Sequence, residues 1–336
     1  MNILLTSVGR RSYLVSYFKK ALDSNGEVHV ANSSDASPAF LVADHSVVSP
    51  LIYNSEYIPF LKNYCIQNKI DIIVSLFDID LPILAKYKEE FQKIGVRVIV
   101  SSEEVINVCN DKWKTFEYMS SKGFCMPKTY ITIDSAYEAL RKNVIKYPVI
   151  VKPRWGMGSI GVYEAENDAE LTVLYNKTVS NIKRTYLHFE SEQDLNRSVI
   201  IQEKLSGQEY GLDVINNLNG SYRNTIVKKK IAMRAGETDC AETINDYNLI
   251  SLGEKIANTL HHIANLDVDV FLCNDKAFIL EMNARFGGGY PFSHMAGVDL
   301  PKAIVKWIKN EEVPISMLTA EIGVCCQKDL NLVRLK

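Results

Sequence analysis

The segment from Asp267 to Pro291, DVDVFLCNDKAFILEMNARFGGGYP, constrains this chain more than any other. It reads as two consecutive strands. Side chains alternate across a strand, so Asp269 on the first, and Glu281 and Asn283 on the second, present three oxygen donors on one face. Arg285, two residues further on, faces the same way with a fixed cationic fork. Hard oxygen donors suit Mg2+, which keeps several waters and takes only a few protein carboxylates. The plain alternative is a polar strand edge with a coincidental i, i+2, i+4 spacing.

Two earlier segments point the same way. VIVKPRWGMGSIGV (149 to 162) joins a strand bearing Lys152 to a loop with Gly156, Gly158, Ser159 and Gly161. Glycines let backbone N–H groups approach phosphate oxygens, and a lysine supplies the counter-charge. The loop lacks the GxxxxGK[ST] pattern and leads to a strand rather than a helix, which argues against a P-loop and a dinucleotide fingerprint. A tight hairpin with an exposed lysine is the other reading. In IIQEKLSGQEYGLDV (200 to 214) a strand ends at Glu203 and Lys204, turns at Ser206 and Gly207, and resumes at Tyr210. A linker of this kind has backbone groups free to read the edge of adenine, and Glu209 could accept from ribose hydroxyls; a bare hairpin would look alike.

Upstream, residues 2 to 8 form an apolar run that ends at Gly9, and Tyr13, Leu14, Tyr17, Phe18, Ala21 and Leu22 then recur at helical spacing. Strand-like runs return at 27 to 33, 71 to 76 and 96 to 101, with a helix predicted from Leu81 to Ile94. Short buried strands alternating with helices imply a parallel sheet covered on both faces. A helical passage follows from Ser102, stopped by Gly123 and closed by Pro127. Beyond it the pattern predicts a helix at 134 to 143, strands at 148 to 153 and 161 to 165, and a helix with a mobile lid element in the polar stretch 176 to 198. Strands are then expected at 199 to 203, 209 to 215, 222 to 230, 267 to 273 and 277 to 282, with a helix at 247 to 265. The fold expected is an α/β, Rossmann-like sheet domain (1 to 105), then an α+β subdomain with a glycine-rich lid (106 to 200) and a second α+β subdomain (201 to 336).

Thirty-eight Lys and Arg against forty Asp and Glu leave a formal charge of −2, so nothing electrostatic calls for nucleic acid or an anionic membrane as partner. The seven cysteines form no CxxC pair and no spaced metal-ligand set, which suggests reduced thiols. The opening MNILLTSVGRRSYLV has only a short apolar run broken by two arginines, and no window reaches the length of a membrane span. A cytoplasmic location is expected.

Taken in order, Lys112 in NDKWKT, Lys152 in VKP, the glycine loop, QEKLSGQEYGLDV and ILEMNAR resemble the ATP-grasp superfamily, in particular its carbamoyl-phosphate-synthase-like and carboxylate-amine ligase branch. The resemblance implies that Lys112 and Lys152, with Gly158, Ser159 and Gly161, contact ATP phosphates. Glu203 and Leu205 would hold adenine through their backbones, within the nucleotide-binding run Gln202 to Leu205, and Glu209 would bind ribose. Asp269, Glu281 and Asn283 would hold magnesium, with Mn2+ a substitute. Arg285 would stabilise the acyl-phosphate, and Lys230 and Arg234 would lie near the phosphates or the substrate carboxylate, a solvated basic hairpin being the alternative for those two. The branch often has NPR where Asn283-Ala284-Arg285 stands here, and Gln or Glu at Asp269. The first change keeps ligand and cation; the second keeps a shorter oxygen donor. The activity implied is ADP-forming condensation of a carboxylate with an amine, both small molecules, with a homodimer as the assembly. A bicarbonate-activating enzyme and a non-catalytic ATP-binding module are the other two readings. The run from Gly287 to His294 offers backbone N–H groups as a cradle for a carboxylate, with His294 expected to serve in packing or capping.

Overall fold

The computed structural model describes residues 1–335. Its first apolar runs become five parallel strands: β1 (Asn2–Thr6), β2 (Val28–Asn32), β3 (His45–Val48), β4 (Ile70–Ser75) and β5 (Arg97–Ile99). Helices α1 (Ser12–Leu22), α2 (Tyr57–Gln67), α3 (Asp80–Lys86) and α4 (Lys88–Lys93) connect them. The strand order is β3-β2-β1-β4-β5, so the order reverses between β1 and β4. In open parallel sheets of this kind, ligands bind outside the carboxyl ends of the strands at such a reversal. Inside the sheet the Asp80 carboxylate accepts from Thr6 Oγ1, Tyr57 Oη (2.8 Å) and Ser75 Oγ (2.8 Å), which ties α3 to both central strands.

The passage after Ser102 is helical as expected but broken in two, α5 (Glu103–Asn110) and α6 (Lys112–Ser121). Asp111 at the break caps α6 by accepting from the backbone N–H of Trp113 and Lys114, 3.0 and 3.2 Å away. A second, antiparallel sheet follows, ordered β6-β9-β7-β8, from β6 (Thr129–Tyr130), β7 (Val149–Pro153), β8 (Tyr163–Ala165) and β9 (Val199–Glu203), with α7 (Ile133–Arg141), α8 (Asp168–Arg184) and α9 (Leu187–Ser191). The third sheet has six antiparallel strands, β10 (Gln208–Asn216), β11 (Tyr222–Arg234), β12 (Glu237–Ile244), β13 (Ala264–Cys273), β14 (Lys276–Asn283) and β15 (Cys325–Gln327), ordered β14-β13-β10-β11-β12-β15. Helices α10 (Tyr247–Leu260), α11 (Tyr290–Met295) and α12 (Leu300–Ile308) complete it.

Several elements depart from the sequence expectations. The helix expected over 81 to 94 is split at Tyr87. That expected over 247 to 265 stops at Leu260, where His261 turns left-handed and releases the chain into β13. The polar stretch at 176 to 198 is helical, but its main helix starts earlier, at Asp168, capped by the Asn167 side chain. Helix α2 and strands β3, β6, β12 and β15 were not foreseen.

Apolar packing joins the sheets unequally. Leu4, Ile73 and Val98 of the parallel sheet share one core with Leu212, Val268 and Met282 of the six-stranded sheet. Ile3, Leu5 and Val30 share another with Ile215, Phe286 and Ile304. The four-stranded sheet has a core of its own, including Val149, Leu171 and Ile201.

Candidate active site

A cavity of 680 Å³ opens where the three sheets meet. Most residues singled out in the sequence line it: Lys112, Lys152, Gly158, Ser159, Gln202, Glu203, Lys204, Leu205, Glu209, Lys230, Asp269, Glu281, Asn283 and Arg285. Gly161 and Arg234 do not. Gly161 (φ +72) closes the turn beneath the loop, against the Pro153 ring. Arg234 is half exposed near the tip of the β11–β12 hairpin and pairs with Asp239 at 3.0 Å. His294 also stays outside, stacked on Tyr17 with 3.5 Å between ring centroids, its Nδ1 3.1 Å from the Val298 carbonyl oxygen.

The oxygen donors come from one face of β13 and β14. Asp269 lies directly opposite Glu281, and Asp267 opposite Asn283. Asp267, missed in the sequence, obeys the same two-residue alternation as Asp269. Burial, then the neighbouring Asp269, raise its carboxyl to about 7 despite Arg285 and Lys228. Gly287 is needed beside it, because an added Cβ would stand 2.1 Å from the Asp267 carboxylate carbon.

Each acid here is matched by a base. Lys230 Nζ donates to Glu209 (2.6 Å) and Asp269 (2.7 Å); burial opposes its charge, but Asp269 and Glu209 outweigh that and raise its pKa. Lys112 Nζ is 3.3 Å from Glu281 and also donates to the Gly156 carbonyl. Arg285 donates through Nε (2.9 Å) and Nη2 (2.7 Å) to Asp78, in the loop after β4. Its Nη1 is 3.5 Å from Asp267, and the two acids hold its pKa above the ordinary value although burial opposes them. Lys228, fully buried, donates to Asp213, which also accepts from Ser293. Lys228, Asp78 and Asp213 were not foreseen; for Asp78 the signal was its place just past the carboxyl end of a central parallel strand.

At the other wall, Lys152 is buried and donates to Gln202 Oε1 at 2.8 Å, while Gln202 Nε2 donates to Thr129 Oγ1 at 2.8 Å. Gln202 therefore aims the lysine. Glu203 turns its carboxylate to the backbone N–H of Lys128 (2.7 Å), and Lys204 reaches Glu164 (2.7 Å). The chain from Lys204 to Gly207 belongs to no strand and skirts the cavity. Arg154 clamps Asp111 through two 2.7 Å hydrogen bonds, fixing the start of α6 and with it Lys112. The tip of the β11–β12 hairpin meets the glycine loop so closely that a Cβ on Gly236 would be 2.5 Å from Ser159 Oγ.

Carboxylates, a carboxamide oxygen and nearby lysines are the donor set a hard divalent cation bound to phosphate requires, so the residues fit magnesium. Among the described residues, the one His/Cys/Asp/Glu group with ligand atoms all within 4.8 Å is elsewhere: Glu27, His29 and His45, at the β2–β3 edge. No described helix is long and apolar enough to cross a membrane.

Comparison with known proteins accords with this geometry. Residues 3–99 match a PylC-like N-terminal domain, and residues 109–289 an ATP-grasp domain. The chain is 20% identical over 273 residues to the arginine-specific large chain of carbamoyl phosphate synthase from Bacillus subtilis, covering 79% of this chain and 25% of that one. It thus spans about a quarter of the length of the curated relatives it matches. An L-amino acid ligase from Bacillus licheniformis superposes with a TM-score of 0.72 at 17% identity, covering 94% of this chain and 78% of that one. The biotin carboxylase domain dimer of Hydrogenobacter thermophilus 2-oxoglutarate carboxylase, solved with MgADP, ADP and bicarbonate, gives 0.71 at 15%, covering 93% and 70%. With more than half of its length matched by that one domain, the chain belongs to the ATP-grasp family.

Proposed function

We propose that this chain is an ADP-forming ligase that phosphorylates a carboxylate and passes the acyl group to an amine. The observation that carries this is the acidic face of β13 and β14 set against Lys112, Lys152 and the glycine loop across one cavity. Lys152, held by Gln202, and Lys112 would neutralise nucleotide phosphates, with the glycine loop N–H groups beside them. Asp269, Glu281 and Asn283 would hold magnesium or manganese, with Asp267 adjoining; the bound ion would supply charge neutralisation at the phosphates. The substrate carboxylate oxygen attacks the γ-phosphorus, the bond to the bridging oxygen breaks, and ADP leaves. The amine nitrogen then attacks the acyl carbon, inorganic phosphate departs, and the amine proton passes to solvent. Arg285, its fork steered by Asp78, would face the charge that develops on the acyl-phosphate and on the tetrahedral species after it. The glycine loop resting on the hairpin tip would keep water from that intermediate.

The working units of this reading are residues 1 to 105, 106 to 200 and 201 to 336. A homodimer belongs to it too, supported by the dimer in which the Hydrogenobacter domain was solved. So does a cytoplasmic setting, in keeping with the free cysteines.

Incubation with ATP, Mg2+ and pooled acids and amines tests the reading. ADP release should require an acid, and hydroxylamine in place of the amine should trap an acyl hydroxamate. ADP release with bicarbonate alone would favour the bicarbonate-activating reading instead, which the carbamoyl phosphate synthase relatives support. Glu281→Gln should lower turnover on the order of 100-fold, the scale of losing one pre-organised electrostatic contact. Turnover at the full rate in that variant would sink the metal assignment.

A further inference from the structure

The loop after β1 brings two arginines to the cavity that nothing above employs. Arg10 and Arg11 line it from the parallel sheet, at the carboxyl end of β1, beside the Asp78 loop at the carboxyl end of β4. That is the reversal point of the strand order, where the crevice of such a sheet takes its ligand. The loop is braced before anything binds. The Gly9 carbonyl accepts from Ser37 Oγ at 2.6 Å, Gly9 N–H donates to Asn32 Oδ1 at 3.2 Å, and Arg11 N–H donates to the Val8 carbonyl at 2.9 Å.

The charges around the cavity single these residues out. Lys112, Lys204, Lys228, Lys230 and Arg285 each have a carboxylate partner. Lys152, Arg10 and Arg11 have none. Lys152 sits at the nucleotide end, bonded to Gln202. The two guanidinium groups donate no hydrogen bond and form no ion pair among the described residues. Of the acids that act on Arg11, Asp78 holds Arg285 through Oδ2 and Glu237 pairs with Lys328 at 3.2 Å. Arg11 also stands near enough to Arg285 that the two repel: after burial, Arg285 is the next cause lowering the Arg11 pKa.

One carboxylate is matched by one planar guanidinium fork. In the ligase reading Arg285, its own fork held by Asp78, faces the reacting carboxyl group, and Arg10 and Arg11 are two further forks beyond it that no acid among the described residues holds. We propose that Arg10 and Arg11 form an anion subsite for a second charged group, carboxylate or phosphate, on the acid substrate, which makes that substrate one with two anionic groups, entering against the parallel sheet. The inference rests on the ligase reading, since it takes Arg285 as the partner of the reacting carboxylate.

The test uses the full chain saturated with Mg2+ and the non-hydrolysable analogue AMP-PNP, with the thermal midpoint followed as four acids are titrated in. Glutarate is compared with butyrate, and 3-phosphoglycerate with glycerate. At least one acid with two anionic groups should shift the midpoint at concentrations roughly tenfold below its monoanionic counterpart, about the worth of one charge-assisted hydrogen bond. Preference for glutarate identifies the second group as carboxylate, and preference for 3-phosphoglycerate as phosphate. Arg10→Gln and Arg11→Gln should each erase most of that advantage while leaving the AMP-PNP shift itself unchanged, and Arg11→Lys should retain part of it. Equal response to the doubly substituted acids and the monoanions, or no response to any acid, overturns the proposal, as does an advantage that survives in both glutamine variants. Absence of an AMP-PNP shift in the unmodified chain would overturn the nucleotide reading itself, a different failure.

Discussion

Lys152 carries its charge at a disadvantage. Burial, and then the neighbouring Lys112, lower its pKa to about 8, so the free site holds it cationic below that pH and loses the charge above it. Phosphate favours the charged form, so nucleotide affinity should hold up to about pH 8 and fall as pH rises through it, and binding above pH 8 should take up a proton. Calorimetric titration with Mg2+ and AMP-PNP at pH 7 and pH 9, in buffers of different ionisation heat, checks this: proton uptake is expected at pH 9 only, and not in Lys152→Met. Which residues could be read from sequence follows the same local logic. Asp269, Glu281, Asn283 and Lys152 were legible because the period of a strand fixes which side chains share a face, and Asp267 was within reach of that rule. Lys228, two residues before Lys230 on β11, was within the same reach. Asp78, Arg10 and Arg11 depend on the sheet order, which places the carboxyl ends of β1 and β4 side by side and which no local pattern encodes.

The break between α5 and α6 shows an element joining stability to function. Asp111 caps α6 and takes both hydrogen bonds of the Arg154 fork, and Lys112 is the next residue. Asp111→Ala would leave Arg154 buried without that partner, so unfolding in denaturant should show a loss of about 3 kcal/mol or more. Nucleotide affinity should fall in parallel as Lys112 loses its anchor. Asp111→Asn, which keeps an oxygen for the cap but not the charge, should lie between. Such breaks escape a reading of helical periodicity, since apolar spacing runs through Asp111 undisturbed. Strand β12 escaped for another reason: ETDCAETI is rich in acids, and it is a strand because β11 and β15 pair with it on either side. In α2, Pro59 in the first turn masked a helix whose buried residues, Tyr57, Ile58, Leu61 and Cys65, keep helical spacing.

Across the whole molecule, the parallel and six-stranded sheets share two cores, whereas the four-stranded sheet keeps its own and meets the rest through few specific contacts. One is Tyr53, whose hydroxyl donates to Glu190 at 2.9 Å and whose ring stacks on Phe189 at 4.2 Å. With its own core, and tied to the rest mainly through Tyr53 and the Arg154–Asp111 pair, this unit is the one expected to move as a body over the cavity. Hydrogen exchange should accordingly slow across residues 129 to 203 when Mg2+ and AMP-PNP are added, with the shared cores unchanged, and Tyr53→Ala should speed exchange at 186 to 197 without ligand. The pairing of acids with bases inside that cavity has a thermodynamic corollary. Lys230 holds one oxygen of Asp269 and Lys112 one oxygen of Glu281, so each acid offers a cation more as its lysine lets go, and phosphate gives those lysines other anions to turn to. Each ligand therefore gains from what the other releases, and because such coupling is reciprocal, metal and nucleotide are expected to raise one another's affinity by the same factor, on the order of 5- to 150-fold. Either one alone meets a site partly satisfied by its own charges; together they free it.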